Sequence, residues 1–426
     1  MALFDTDIDI AVPGLRDVVP PKMVRVRQRL EEREEPDPEG EIARGIAALG
    51  IGSLAGQGSL AGQGQLAGQG SLAGKSVAVT GGSRGIADYA RLMRAIVSTL
   101  KDMGARPFIF PAMGSHGGGT AEGQRALLAR YGVTEETMGV PVMASMETVV
   151  IGQLPDGTKV YCDRLAWEAD GIVLFNRVKP HTDFRGDWES GLLKMCAIGA
   201  GKHNGATATH RVGYMRFAEQ VEAVGRFFLE HAKVLFGVAS VENGRERVMK
   251  VEVIPAASIP EREKELLVLA KKSMARLPFK EIDVLIVEEI GKDISGTCMD
   301  PNVTGRVGTR GMVFGDAPNV GCLVVLGLTE ATHGSAIGIG EADVTIRSAV
   351  ADVDLSQTYI NHVTAGSIGG ASIPLVARDE EEAIRIALYC VPPRIGGPRV
   401  VRIRNTLMLE EFEVSENMLD DNLQRV

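Results

Sequence analysis

Short apolar runs alternate along this chain with stretches whose apolar side chains recur every three or four residues. Residues 76–80 (SVAVT) are polar only at their ends and read as a buried strand entering a glycine-rich turn. Helical spacing follows over 88–101, a second strand over 107–111, and a second helix over 120–131 with Thr120 as its N-cap. Within 149–160, the run Leu154-Pro155-Asp156-Gly157-Thr158 marks a turn between two strand-like halves, which predicts a hairpin. Residues 171–178 (GIVLFNRV) form another strand that runs straight into Lys179-Pro180-His181. Downstream the pattern predicts a helix over 215–230, strands at 234–238 and 250–254, and a charged helix over 260–275. Strands at 283–288 and 322–328 and a helix over 380–389 follow.

Strands alternating with helices in this way predict an α/β fold with mostly parallel sheets flanked by helices. The length and the charged segment place a boundary near 275, giving an N-terminal domain over 1–275 and a C-terminal α/β domain over 276–426. A hexapeptide repeat, Ser53-Leu54-Ala55-Gly56-Gln57-Gly58 and its variants, fills 53–74. Its copies are too short and too glycine-rich to bury a core of their own, so it reads as a surface insertion.

The chain of 426 residues is 45% hydrophobic, enough for two cores. Lys and Arg number 46 against 55 Asp and Glu, a formal charge of −9, and no run of four basic residues occurs. Nucleic acid and anionic membrane surfaces are therefore poor partners. No apolar stretch is long enough to span a bilayer, and the acidic start lacks a signal-peptide pattern, so the expected location is the cytoplasm. Five cysteines, odd in number and without a CxxC pair, supply neither a disulfide framework nor a zinc or iron–sulfur motif.

The polar residues gather at predicted strand ends. Thr80-Gly81-Gly82-Ser83-Arg84-Gly85-Ile86-Ala87 lies between a strand and a helix, as a dinucleotide-binding turn does. Ala87 replaces its last glycine and no YxxxK pair follows, so an NAD(P)-dependent oxidoreductase is an alternative and not the leading reading. Backbone N–H groups with Arg84 would suit an anion there. His116 stands in Gly114-Ser115-His116-Gly117-Gly118-Gly119 with no apolar face to pack on, and imidazole suits proton transfer near neutral pH. Between His181 and His210 fall Arg185, Glu189, Lys194, Lys202 and His203 among five glycines, a density of ionisable groups suited to a site.

These elements together resemble the nickel-pincer lactate racemase family, in an uncharacterised branch; the stretch NRVKPHTDFRGDWESGLLKMCAIGAGK carries much of the likeness. The resemblance implies an active site in a cleft between the two domains, with His116 and His181 as the two catalytic bases. It implies that Lys194, after Gly191, forms a thioamide with the cofactor, and that His210, sixteen residues on, ligates nickel, with His203 as the alternative. Arg84, Glu289 and Lys292 would contact substrate, and Asp183 is added to them here. The cofactor implied is the nickel complex of pyridinium-3,5-dithiocarboxylic acid mononucleotide, made by dedicated biosynthesis proteins, and chain produced without them is expected to lack it. The activity implied is racemisation or epimerisation at C2 of a 2-hydroxy acid by hydride transfer through a 2-oxo acid. A homo-oligomer is also compatible.

Several positions depart from the family. Gly81 stands where an aspartate is usual, Glu289 replaces a glutamine, and Thr182-Asp183 replaces an aromatic pair. Asp183, Arg185 and Glu189 in place of an aromatic wall favour a polar substrate such as a sugar acid. Gly81 and Glu289 also leave open a homologue that binds cofactor and nickel without turnover. Trp188 is a candidate to close over substrate, and the loop from Asp300 to Arg306 is either a ligand contact or a plain turn. His333 and His362 read as loop or packing residues, and Cys196 as a small buried hydrophobe.

Overall fold

The computed structural model describes residues 10–51, 71–83, 85–309, 311–365, 368–420 and 423–426. Arg84 and most of the 53–74 repeat lie outside the described residues. The chain forms two compact units: Glu31–Met274, and a second in which the chain up to Leu30 joins Ala275–Val426. The first strand, β1 (Met23–Arg27), therefore belongs to the second unit, which corrects the expectation that residues 1–275 form one domain.

The Glu31–Met274 unit holds β2 (Ser76–Gly81), β3 (Arg106–Pro111), β4 (Thr148–Gln153), β5 (Lys159–Asp163), β6 (Gly171–Arg177), β7 (Val234–Glu242) and β8 (Val248–Pro255). Its main sheet has the order β3-β2-β6-β7-β8. The first four strands are parallel and β8 returns antiparallel to β7. β4 and β5 make the expected separate hairpin. The near-continuous apolar runs follow from burial on both faces: all nine residues of β7 are buried, as are five of six in β2. Helix Tyr89–Asp102 lays Leu92, Met93, Ile96, Val97 and Leu100 against this sheet, each fully buried and each contributing about 1.5–3 kcal/mol. Helix Pro38–Ala48, capped by Asp37 on the Gly40 N–H, adds Ile42 and Ile46 to the same core.

The second unit holds β9 (Glu281–Val287), β10 (Asn319–Val325), β11 (Val344–Ile346), β12 (Leu375–Ala377), β13 (Val400–Ile403), β14 (Glu411–Ser415) and β15 (Gln424–Arg425). They join β1 in one sheet of order β12-β11-β10-β9-β13-β14-β1-β15. It is parallel from β12 to β13 and antiparallel beyond. β1 is held there by Val24 opposite Val414, Val26 opposite Phe412, and Arg25 and Arg27 on Glu411. Among the described residues no helix is long and apolar enough to cross a membrane.

Helix Phe217–His231 closes on the segment that follows Gly191. A Cβ at Gly225 would lie 2.7 Å from Leu193 Cδ2 and 3.1 Å from the Leu193 carbonyl oxygen. Gly225→Val is therefore expected to lower stability by about 1–3 kcal/mol through overpacking, despite its better helix propensity. Urea denaturation followed by circular dichroism measures this, and an unchanged midpoint would show that the helix can move away.

Candidate active site

Because β3, β2, β6 and β7 run parallel, their carboxyl ends share one edge of the sheet, where open α/β sheets place their ligands. The turn after β2 and the loop after β3 meet there: His116 Nδ1 lies 2.5 Å from Ser83 Oγ. The β2 turn is held by the Tyr89 hydroxyl on the Gly82 carbonyl and the Tyr131 hydroxyl on the Ser83 carbonyl, both at 3.2 Å. At the end of β7, Glu242 accepts the Ala87 N–H at 2.8 Å and pairs with Arg177.

The loop after β6 is organised by a buried carboxylate. Glu189 accepts the His181 N–H at 2.6 Å, pairs with Lys271 at 2.6 Å and lies 3.5 Å from Arg185. Arg185 in turn donates to the His181 carbonyl at 2.8 Å. The His181 ring packs on Phe184, with centroids 4.4 Å apart, so an aromatic face stands beside this histidine after all, supplied from residue 184. The Asp183 N–H donates to His181 Nδ1 at 3.0 Å. Nε2 faces the Lys194 amine in hydrogen-bonding contact.

Lys194 ends a short helical turn, Leu192–Lys194, whose first N–H groups need an acceptor. Glu263, fully buried on helix Ile259–Ser273, supplies it, with Oε2 accepting from Leu192 at 2.6 Å and Leu193 at 3.0 Å. Glu263 Oε1 lies where a Cβ on residue 191 would be, which requires Gly191. Burial pushes the Glu263 carboxyl up to about 7, against the pull of those two N–H groups. After Lys194 the backbone widens into a π-helical turn, Met195–Gly199, a feature frequent at functional sites.

His210 ends helix Lys202–His210 and packs on Phe217, centroids 4.7 Å apart; Phe217 in turn meets Phe184 at 4.9 Å. The structure thus brings His181, Lys194 and His210 into one aromatic-walled cluster. His210 Nδ1 donates to the Ala206 carbonyl at 2.7 Å, leaving Nε2 with its lone pair, the arrangement usual for a metal-ligating histidine. Burial holds its pKa below the ordinary value; the Ala206 carbonyl opposes the shift and the charge of Lys194 adds to it. His203, at the other end of the same helix, is exposed. Trp188 is buried, with its indole N–H on the Pro260 carbonyl at 2.6 Å, so it packs and does not close over a substrate. Cys196 is buried too, its thiol pushed well up by burial.

Residues 76–221, the stretch bearing His116, His181, Lys194 and His210, match the sequence family described as the lactate racemase N-terminal domain. Over that stretch the chain is similar to lactate racemases. The lactate racemase apoprotein from Thermoanaerobacterium thermosaccharolyticum, 14% identical, shares the fold with a TM-score of 0.52 over 91% of this chain and 99% of that one. A structural-genomics protein from Thermotoga maritima, 13% identical, gives a TM-score of 0.47 over 83% of this chain and 92% of its own. No curated protein sequence matches this one.

The remaining positions singled out in the sequence lie in the second unit. Glu289 accepts from Arg404 at 3.0 Å and Asn405 at 2.9 Å. Lys292 is exposed, with its N–H on Thr332 Oγ1 at 3.1 Å. Asp300 caps Pro301–Thr304 and Arg306 pairs with Asp343, which makes the 300–306 loop a turn held by its own side chains. His333 is exposed in a left-handed conformation and His362 is buried. Among the described residues no three His, Cys, Asp or Glu side chains cluster to hold a metal ion. A nickel ion here would therefore have to bring most of its ligands with it. An amine beside one imidazole, with the Nε2 lone pair of a second imidazole in the same cluster, fits that requirement.

Because Glu263 binds its proton more tightly in the fold than its ordinary value of 4.5, its protonation favours the folded state. That contribution is complete below about 4.5 and is lost as pH rises through 7, a change of about 3 kcal/mol. Glu263→Gln, which cannot ionise, should lack this dependence. Urea midpoints of both proteins at pH 5 and pH 8 measure it; parallel profiles would show that Glu263 does not titrate in this range.

Proposed function

We propose that this chain is a racemase or epimerase that inverts C2 of a 2-hydroxy acid, working with a nickel-pincer nucleotide held covalently by Lys194 and ligated by His210. The observation that supports it most is the contact of His181 with Lys194 in the cluster that also holds His210. A base, an attachment point and a lone-pair imidazole are there in one unit. Held by Lys194 and His210, the nickel-pincer nucleotide would supply a reversible acceptor for the C2 hydride.

The chain's own residues handle protons and orientation. Inversion needs a base on each side of the carbon, and His181 and His116 come from the ends of different strands, β6 and β3. His181 is held by the Asp183 N–H and the Phe184 ring, and His116 by Ser83. Arg84 is assigned to the substrate carboxylate. The π-helical turn and the Glu263 clamp fix the direction in which Lys194 points.

Protein co-produced with the cofactor's biosynthetic enzymes should show a covalent mass increment that Lys194→Ala abolishes. Its nickel content should fall in His210→Ala while the increment remains. Intact-mass spectrometry and metal analysis check both, and a protein with neither increment nor nickel overturns the reading.

Substrate deuterated at C2 should keep its deuterium through inversion, since hydride shuttling does not exchange with water, whereas wash-out would indicate enolisation. His116→Asn and His181→Asn should each lower kcat by about 100-fold or more. Optical purity of a panel running from lactate to aldonates, followed in the loaded enzyme, gives both readouts.

A further inference from the structure

Three fully buried polar side chains of the Glu31–Met274 unit have no part in the chemistry above. Lys202, Gln124 and Asp163 are each fully buried. Lys202 begins the helix that ends in His210, with a left-handed φ of +56°, uncommon for any residue but glycine. Its amine donates to the Pro111 carbonyl at the end of β3 and to Gln124 Oε1 at 3.3 Å, and lies 3.2 Å from Asp163 Oδ2. The Gln124 amide nitrogen then donates to the carbonyls of Gly114 at 3.0 Å and His116 at 3.2 Å.

A buried ion pair is a poor device for stability, because apolar residues of the same volume usually do as well. Geometry is what this one supplies. His116 sits in an exposed loop in which Gly114, Gly117, Gly118 and Gly119 all have φ between 58° and 68°, so the loop has little stiffness of its own. Gln124 grips it at two carbonyls, and Lys202 grips Gln124.

We infer that Lys202 and Gln124 are positioning residues that hold the His116 loop in register with the His210 helix. Lys202 fixes the start of that helix and, through Gln124, the backbone on which His116 stands. The inference rests on the reading of His116 as a proton-transfer residue and of His210 as the nickel ligand.

Gln124→Met keeps the side-chain volume and removes both donor and acceptor; Gln124→Glu keeps an acceptor for Lys202 and removes only the donors to the loop. Histidine-selective carbon NMR of the unloaded protein, with His116 assigned through His116→Asn, reads the loop directly. In both variants the His116 signal should move toward that of a free exposed histidine, while His231, stacked on Phe227, stays in place. In the loaded enzyme kcat should fall about 100-fold with KM within about twofold, the signature of a misplaced group. A His116 signal unmoved in the variants overturns the inference, whatever happens to activity. If loaded wild type turns over no 2-hydroxy acid, the function proposed above fails, and the NMR comparison still decides whether Gln124 positions the loop.

Discussion

Four strands pointing the same way must all end at one edge, and at that edge the backbone runs out of ladder partners. The N–H groups of the loops that leave β2, β3 and β6 need acceptors that the sheet no longer supplies, and leaving them buried and unpaired costs about 1–3 kcal/mol each. Glutamates fill this role repeatedly. Glu242 takes the Ala87 N–H, Glu189 the His181 N–H, and Glu263 those of Leu192 and Leu193. Each reaches its target from a distant part of the chain or across a loop, so each fixes a segment that bears a candidate functional residue. The negative charge is answered by Arg177 for Glu242 and by Lys271 and Arg185 for Glu189. Glu263 is fully buried, and that burial pushes its carboxyl up to about 7 against the pull of its two N–H groups.

This explains which parts of the molecule were legible in the sequence. β2, β3, β6 and their helices are local: an apolar run bounded by glycines can be read without knowing what it packs on. The histidine loops were legible for the opposite reason, since His116 and His181 sit among glycines and charges where no core can form. β1 was not legible. Its alternation, MVRVR, becomes a strand only because β14 arrives some 390 residues later to pair with it. Glu263 was hidden in another way. It lies in Pro260-Glu261-Arg262-Glu263-Lys264-Glu265, which reads as a solvated helix face, and only the tertiary fold buries that one carboxylate against Leu192 and Leu193. Lys202 stood out only as one more ionisable group of its stretch; its burial against Gln124 was unreadable, because a buried network is a property of three segments together.

The residues that argued for a polar substrate now have other work. Asp183 Oδ2 accepts the Thr182 hydroxyl at 3.0 Å and lies 3.6 Å from His181 Nδ1. Arg185 holds the His181 carbonyl, and Glu189 holds its N–H. Glu289 is engaged by Arg404 and Asn405. Carboxylates so partnered do not need substrate hydroxyls to offset their burial. Meanwhile the aromatic face that seemed lost at Thr182 and Asp183 returns from Phe184, packed against His181 and backed by Phe217. A ring face next to His181 suits an apolar group better than a hydroxyl, because a hydroxyl placed there would give up a water partner for none. On these contacts, the polar loop residues serve to hold His181, with Glu189 on its N–H and Arg185 on its carbonyl.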